Sequence, residues 1–291
     1  MSSGSRYQPD GVPDYSHRFH AGNVGDVWKH CVLVEVLRRA GDVRRVAFLD
    51  THAGEGGYAL GATGEWTEGI GRLWHHHVSA DNAVSRYVAL CRRLGVGNER
   101  PERYPGSPAF ARAVLGSAAE LEMWERDDAA CAALRGALGD DARARVSCGD
   151  GLAGLREAIV AAERRADAVV VLVDPPYAQK SDWIAIPDSV AAAVAASARA
   201  CVVLWYPVKS LTRPNAMISR LAAAGVAGTI AELVTTPLEQ QRRRLNGSGV
   251  LLVRPPARVL DAIAAAAPII GAACATQPGR WSYRMQAWPE R

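Results

Sequence analysis

The feature that most constrains the fold is a repeated pattern of short apolar runs, each ending at an acidic residue or a proline. Such runs are typical of strands buried on both faces. Segments with helical spacing separate them, and this alternation predicts a parallel sheet covered by helices on both sides. The runs are RRVAFLD ending at Asp50, LEMWE at Glu125, ARVSCGD at Asp150, AVVVLVD at Asp174 and ACVVLWYP at Pro207.

The helices between these strands are predicted at residues 127–138, 152–164, 183–197 and 214–224. An earlier helix at residues 26–39 has Asp26 as its cap and Gly41 after its end. Late in the chain, GTIAELV and GVLLV have no helical pattern between them and are predicted to pair as an antiparallel edge. Parallel strands closed by a late antiparallel hairpin are the class I methyltransferase pattern, a Rossmann-like, mostly parallel seven-stranded α/β sheet.

The predicted domain organisation is simple. Residues 1–14 are polar and aperiodic, which predicts a loose N-terminal tail, and residues 15–291 are predicted to form a single domain. Residues 60–105 contain no buried strand but have apolar spacing of helix faces, so we expect a small inserted helical subdomain. The crossover helix after it should begin with Ser107 as N-cap and Pro108 at its first position.

Composition excludes several classes of protein. No apolar run approaches the roughly 18 residues of a membrane span, and the N-terminus lacks a signal-peptide pattern, so a cytoplasmic protein without a membrane partner is expected. The six cysteines form no CxxC pair, which indicates reduced thiols and argues against zinc knuckles and a disulfide framework. Neighbouring His75, His76 and His77 would point in different directions on a helix, so no metal is expected. The net charge of +4 suits a nucleic acid but is common by chance.

The strand ends carry candidate nucleotide contacts. Gly54 lies in a glycine turn after the first strand that lets the backbone approach a nucleotide, although such a turn is often only a tight turn. The third glycine of a dinucleotide fingerprint is missing, which disfavours a nicotinamide-dependent dehydrogenase. Glu125 can accept both ribose hydroxyls or be a solvated carboxylate. Asp150, followed by Gly151, can hold an adenine amino group or cap a helix.

The motif DPPY at residues 174–177 follows the most hydrophobic strand, beside the expected topological switch point. Its prolines fix the backbone. Asp174 and the Pro175 carbonyl can each accept one N6–H of an adenine, which directs the nitrogen lone pair at a methyl donor, while Tyr177 can stack on the extruded base. A proline-rich turn is the alternative, but a buried Asp without a role would be costly.

Two basic segments complete the candidates. The first lies around a glycine-containing turn at the start of the first helix and contains His17, His20, Lys29 and His30. A helix start favours anions, so these groups suit an anion-binding site; the alternative is a polar N-terminal cap without a ligand. Late in the chain Arg242, Arg243 and Arg244 suit phosphate contacts in RNA, or a solvated loop.

Five motifs, in order over nearly the whole chain from residue 15, together resemble the ribosomal RNA large subunit methyltransferase J family, which makes N6-methyladenosine in 23S ribosomal RNA. They are YSHRFHAGNVGDVWKH (residues 15–30), LDTHAGEGGY (49–58), YPGSP (104–108), DPPY (174–177) and LWYP (204–207). The resemblance implies S-adenosylmethionine (SAM) as methyl donor, S-adenosylhomocysteine as product, no metal, and a Rossmann-like fold with an inserted helical subdomain.

Carried over motif by motif, the resemblance also implies site residues. Asp174 would be the catalytic acceptor, and Tyr15, His17 and Lys29 would lie in a segment that closes over the cofactor and the target base. The cofactor contacts, with Gly54 from the turn, would be His30, His52, Ser107, Glu125, Asp150 and Gly151.

The implied activity is direct methyl transfer to one adenine of 23S ribosomal RNA, free or in early assembly, by a monomer. The same chemistry on DNA is an alternative because DPPY also occurs in DNA adenine methyltransferases, but no sequence-reading domain is evident. Methylation of a guanine amino group is also compatible with DPPY. A non-catalytic RNA-binding module would be expected to have a damaged DPPY or glycine turn, and both are intact.

Overall fold

The computed structural model describes residues 17–75, 81–240 and 245–289. Ten strands lie within these ranges: β1 Val46–Asp50, β2 Gly57–Ala59, β3 Arg103–Pro105, β4 Glu120–Glu125, β5 Ala144–Cys148, β6 Ala168–Val173, β7 Cys201–Val208, β8 Gly228–Val234, β9 Gly247–Val253 and β10 Ser282–Trp288. The predicted tail at residues 1–14 is outside them.

Eight of the strands form one sheet in the order β10-β8-β9-β7-β6-β1-β4-β5. The five strands from β7 to β5 are parallel, whereas β9, β8 and β10 add to them through antiparallel pairs. The predicted hairpin of β8 and β9 is present but is not the edge, because β10 pairs with β8 and makes the strand number eight instead of seven. The sequence of β10, SYRMQAW, mixes polar and apolar residues, as suits a half-exposed edge strand.

The helices are α1 His17–His20, α2 Val24–Ala40, α3 Ile70–Leu73, α4 Ala83–Gly95, α5 Ser107–Val114, α6 Asp128–Leu138, α7 Leu155–Arg165, α8 Asp182–Ala195, α9 Thr212–Ala223 and α10 Val259–Cys274. On one face of the sheet pack α2, α4, α5 and α10, and on the other α7, α8 and α9. No described helix has the length and apolar character needed to cross a membrane.

The core has two layers because alternate strand residues point to opposite faces. In β1, Val46 and Phe48 enter the layer under α2, whereas Ala47 and Leu49 enter the layer under α7 and α8. The apolar runs that form β1, β6 and β7 are therefore strands covered on both sides, as predicted. The prediction of burial on both faces is wrong for β5, which lies at the other edge of the sheet and is mostly exposed, and β4 is only partly buried.

Residues 60–105 contain a 3-10 turn at Glu65–Thr67, α3, α4 and β3, which pairs with β2 as a short antiparallel hairpin. Ile70 and Tyr87 of this segment are fully buried in the same cluster as Phe48. Its core is continuous with that of the sheet, and its status as a separate subdomain stays a prediction.

Two helix caps differ from the predicted ones. The N-cap of α2 is Asn23, whose Oδ1 accepts from the Asp26 backbone N–H at 3.0 Å. Asp26 is already inside the helix and accepts from Gly22 N at 2.9 Å. The N-cap of α5 is Gly106, and Ser107 is its first residue. The side chains predicted as caps bind elsewhere: Asp26 accepts from the Lys29 ammonium group, and the Ser107 hydroxyl donates to the Asp50 carboxylate.

The prediction that all the cysteines are reduced is wrong for one pair. Cys131 of α6 and Cys148 of β5 form a disulfide with Cα atoms 5.8 Å apart. The two residues are 17 positions apart in sequence, and only the packing of α6 against β5 brings them together. The other four cysteines are free and buried.

Candidate active site

Four loops meet at the carboxyl edge of adjacent strands β6, β1, β4 and β5. The chain leaves β1 toward β4 on one side and returns from β5 to β6 on the other, so the topological switch point lies between β1 and β6. In α/β sheets this is where ligands bind. Asp50 pairs in register with Leu172, so Asp174 extends two residues further along the neighbouring strand.

Asp174 is held by a buried lysine from α2. The Lys29 ammonium donates to Asp174 Oδ2 and, at 2.7 Å, to Asp26 Oδ1. Only 3% of the Lys29 side chain and 14% of the Asp174 side chain are exposed. Burial lowers the pKa of Lys29, but the charges and hydrogen bonds of Asp174 and Asp26 outweigh it and raise that pKa. Lys29 is therefore a permanent cation at physiological pH.

Asp50 is a second, fully buried carboxyl at the switch point. Ser107 Oγ donates to its Oδ2 at 2.6 Å, and the His52 backbone N–H donates to its Oδ1 at 3.2 Å. Burial, together with the nearby charge of Asp174, raises the pKa of Asp50 to about 7 against the lowering effect of these donors. The site thus places a carboxyl poised near neutrality beside an ion pair.

His52 lies in the loop after β1. Burial lowers its pKa, although the surrounding carboxylates of Asp174, Glu125 and Asp150 act in the opposite direction. The Thr51 hydroxyl donates to the Leu172 carbonyl at 3.1 Å and lies 2.8 Å from His52 Nδ1. Because that hydroxyl has one proton, which it donates to Leu172, Nδ1 is the donor to Thr51 and the Nε2 of the neutral ring is an acceptor.

The glycine turn and Glu125 are joined. Gly54 has φ of +62°, and its N–H donates to Glu125 Oε2 at 2.8 Å. A Cβ on Gly54 would lie 2.1 Å from the Tyr58 hydroxyl oxygen. The other oxygen of Glu125 accepts from Asp127 N at 2.8 Å. A carboxylate has about four acceptor positions, so Glu125 keeps capacity for ribose hydroxyls.

The loop after β5 packs directly on the loop after β1. A Cβ on Gly151 would lie 2.4 Å from the Thr51 carbonyl oxygen, so this close approach requires glycine. Asp150 Oδ1 accepts from Leu152 N at 2.9 Å. Because α7 begins only at Leu155 with Gly154 as N-cap, the helix-cap alternative for Asp150 does not hold.

The tyrosine of the DPPY segment is buried and is held by an aromatic contact and a hydrogen bond. Tyr177 has φ of +48°, and its ring is 4.3 Å from that of Trp183 between centroids. Its hydroxyl donates to the Trp205 carbonyl at 3.0 Å. With 9% of Tyr177 exposed, the ring packs in the core layer under α8 and α9, and its stacking on an extruded base stays a prediction. The half-buried Trp205 ring, 5.5 Å from Lys29 Nζ, is an aromatic surface at the same place.

His30 lies one residue from Lys29 but in an aromatic cluster. Its Nδ1 is 2.7 Å from the Tyr104 hydroxyl, and its ring packs 5.0 Å from that of Phe110. The residue is 3% exposed, so it joins α2 to the YPGSP segment, and its contact with the cofactor stays a prediction.

Other predicted positions are outside the described residues: Tyr15, His76, His77, Arg242, Arg243 and Arg244, and of His17 only the backbone is described. Within the described ranges, no three His, Cys, Asp or Glu side chains gather as metal ligands.

The residues present fit the methyl donor implied by the sequence. Gly54 and Gly151 let the loops at the strand ends pack closely, because a Cβ on either residue would clash with the protein itself. Glu125 and Asp150 supply acceptors for ribose and adenine at neighbouring strand ends. Asp50 was not predicted as a site residue, although it lies at the carboxyl end of β1 just as Asp174 lies after the carboxyl end of β6. Nor was the Asp26 contact with Lys29 predicted, although the i, i+3 spacing was an available signal.

Comparisons with known proteins show which family this chain resembles. The family described as "Ribosomal RNA large subunit methyltransferase D, RlmJ" matches residues 44–287. "Ribosomal RNA large subunit methyltransferase J" of Escherichia coli is 34% identical over 251 residues, covering 83% of this chain and 87% of the relative. The protein of the same name from Haemophilus influenzae is 32% identical over 249 residues, with the same coverage.

A solved structure shows the same fold. Protein LPL1258 from Legionella pneumophila superposes with a TM-score of 0.84 at 24% identity, over 92% of this chain and 98% of that one. The expected fold class, a Rossmann-like and mostly parallel α/β sheet with a late antiparallel part, is confirmed.

Proposed function

The chain belongs to the ribosomal RNA large subunit methyltransferase J family, and on this basis we propose that it transfers the methyl group of SAM to the exocyclic N6 of one adenine in 23S ribosomal RNA. The resemblance read from the sequence is thereby confirmed, and the chain is a SAM-dependent ribosomal RNA methyltransferase. The choice of atom and base is the proposal, and the site supports it.

The observation that carries the proposal is the asymmetric environment of Asp174. Its Oδ2 accepts from Lys29, whereas Oδ1 receives no hydrogen bond from the described residues. An exocyclic amine needs an acceptor of this kind. The carbonyl of the neighbouring Pro175 lies outside any helix, so no helical N–H occupies it and it can serve as a second acceptor. Two acceptors at one turn fit the two hydrogens of an aromatic NH2 group.

The chain's contribution to the reaction is chiefly positioning. With both amine hydrogens bonded to Asp174 and Pro175, the nitrogen lone pair is drawn out of conjugation with the ring and directed at the methyl group that bound SAM supplies. Positioning of this kind can account for roughly 7–11 kcal/mol of a barrier. The amine proton released after transfer goes to Asp174 or to water, and no covalent enzyme intermediate forms.

The proposed substrate form is 23S RNA that is free or in early assembly, met by a monomer in the cytoplasm. The basic run Arg242, Arg243 and Arg244 is proposed to contact its phosphates. Replacing all three with Ala should flatten the salt dependence of RNA binding by about one unit per lost contact while SAM affinity is kept. An unchanged slope would leave the run as a solvated loop.

The proposal is tested by incubating the protein with methyl-labelled SAM and deproteinised 23S RNA, assembled large subunits, or DNA, and then digesting to nucleosides. The expected result is labelled N6-methyladenosine from deproteinised RNA. Label in N2-methylguanosine, label only with DNA, or SAM binding without transfer to any substrate would each contradict it. Repeating the assay in EDTA should leave the rate unchanged, and its loss on chelation would overturn the metal-free assignment.

A further inference from the structure

A second concave surface lies behind the glycine turn, on the α4 and α5 side of the sheet. This cleft has a volume of about 720 Å³ and includes Gly56 in its wall. Gly56 also packs against α6, since a Cβ on this glycine would lie 3.0 Å from Leu134. The residues of the SAM site other than the turn itself do not line the cleft.

Four arginines from four different parts of the fold line the cleft, and no acidic residue does. They are Arg93 of α4, Arg103 of β3, Arg112 of α5 and Arg143, which precedes β5. Between them the floor is formed by small and apolar side chains, among them Pro108 and Ala109. The cleft therefore combines fixed positive charge with a smooth apolar base.

The arginines form two pairs that differ in their partners. Arg112 and Arg143 share the carboxylate of Asp141, at 3.0 and 2.7 Å, which fixes them in place. Arg93 and Arg103 have no acidic partner within the described ranges, and Arg103 makes only a 3.5 Å contact with the Gly57 carbonyl. Four guanidinium groups opposed by one carboxylate leave a net positive surface.

From this arrangement we propose that the cleft binds the phosphodiester backbone of the RNA substrate, away from the target adenine. Guanidinium groups pair with phosphate oxygens in bidentate fashion, and the apolar floor offers a surface for ribose and base edges. The cleft is larger than a single inorganic anion requires, and its arginines come from four separate parts of the chain. Both features favour an extended polyanion over a single bound ion. This proposal rests on the RNA substrate proposed above and adds a second contact surface to it.

A double variant tests the cleft against a matched control. Arg93→Ala with Arg103→Ala removes the two arginines that lack an acidic partner. Arg156→Ala with Arg164→Ala removes the same charge from exposed positions of α7, on the opposite face of the sheet. Both proteins are titrated with an unmodified 23S RNA transcript at several salt concentrations, with SAM affinity and thermal melting measured in parallel.

The cleft variant should lose roughly 1.5 units of salt slope, from two contacts at about 0.7–0.9 each, and bind RNA on the order of tenfold more weakly. Its KM for RNA should rise while kcat and SAM affinity stay near wild type, and the α7 variant should change little. Lysines at both positions should restore the slope, because the charge returns. Equal slopes and KM values for the two double variants would overturn the proposal. The binding readout decides this even if the wild type methylates no RNA, an outcome that would count against the proposed function alone.

Discussion

The ammonium group of Lys29 donates a hydrogen bond to Oδ2 of Asp174, although the two residues are 145 positions apart in the chain. The bond joins α2, near the start of the fold, to the DPPY turn after β6. Since Asp26 binds the same ammonium group from within α2, the position of the Asp174 carboxylate is set by the helix. We therefore assign Lys29 a positioning role in addition to any contact with the base.

Replacing Lys29 with Met should separate this role from packing. The substitution keeps the volume but leaves two carboxylates without their shared cation, so the free energy of unfolding should fall by about 3 kcal/mol. Turnover should fall at least about tenfold, because Asp174 is no longer fixed. Denaturant unfolding and single-turnover methylation at saturating SAM measure the two effects.

The double variant Asp26→Asn with Lys29→Met is the control for that experiment. Removing one carboxylate should recover part of the lost stability, since less uncompensated charge stays buried, yet turnover should stay low. Recovery of turnover together with stability would show that Lys29 acts only through folding.

Asp50 predicts a distinct dependence of stability on pH. Its pKa is about 7 in the folded protein, mainly because of burial, against a reference of 3.8. The protonated Asp50 carboxyl therefore contributes stability that is fully present below the pKa of the unfolded state and is lost as pH rises through about 7. Relative to wild type, Asp50→Asn should gain in melting temperature between pH 5.5 and pH 8.5, because it has no buried charge to form.

The exposed Asp140→Asn variant serves as the reference, since it removes the same charge at the surface. Its melting difference from wild type should be flat over this range. A flat difference for Asp50→Asn as well would mean that its carboxyl is ionised or protonated throughout.

The role of the glycine turn in SAM binding can be tested by adding a single Cβ atom. Gly54→Ala adds a Cβ at a residue with φ of +62° and 2.1 Å from the Tyr58 hydroxyl oxygen, so stability should fall by at least about 1 kcal/mol and SAM should bind more weakly. Adding Tyr58→Phe should recover part of both losses.

The control is Gly136→Ala on the exposed side of α6, where an added Cβ meets nothing within 4 Å. This variant should instead be more stable than wild type by about 0.5–1 kcal/mol. Calorimetry with SAM that shows wild-type affinity for Gly54→Ala would remove this turn from the cofactor site.

The positions of the strand-end residues could be predicted from sequence because parallel strands bring their carboxyl ends to one edge. That rule places Glu125, Asp150 and Asp174 together without any knowledge of side-chain packing. The rule gives no information on the contacts of individual side chains, so neither the Cys131–Cys148 disulfide nor the hydrogen bond from the Tyr177 hydroxyl to the Trp205 carbonyl was anticipated.

Two further features depended on long-range contacts. The edge strand β10 was not predicted because it contains no buried apolar run: none of its residues is fully buried, and its register with β8 defines it. The arginines of the cleft occupy positions 93, 103, 112 and 143, so no local window of sequence contains them. Patterns within a segment were predictable, whereas juxtapositions between segments required the fold.

The assignment of Asp174 as the acceptor for the target amine is tested most directly by the turnover of Asp174→Asn. An Asn keeps the shape and can still accept from Lys29, but its amide offers a donor in place of one acceptor oxygen, so the amine lone pair is no longer held toward the methyl group. Thermal melting and SAM affinity should stay near wild type, because the change removes a mostly buried charge. The measurement is the single-turnover rate on deproteinised 23S RNA at saturating SAM. We expect a loss of at least about a hundredfold, and a rate within a few-fold of wild type would contradict the assignment of Asp174.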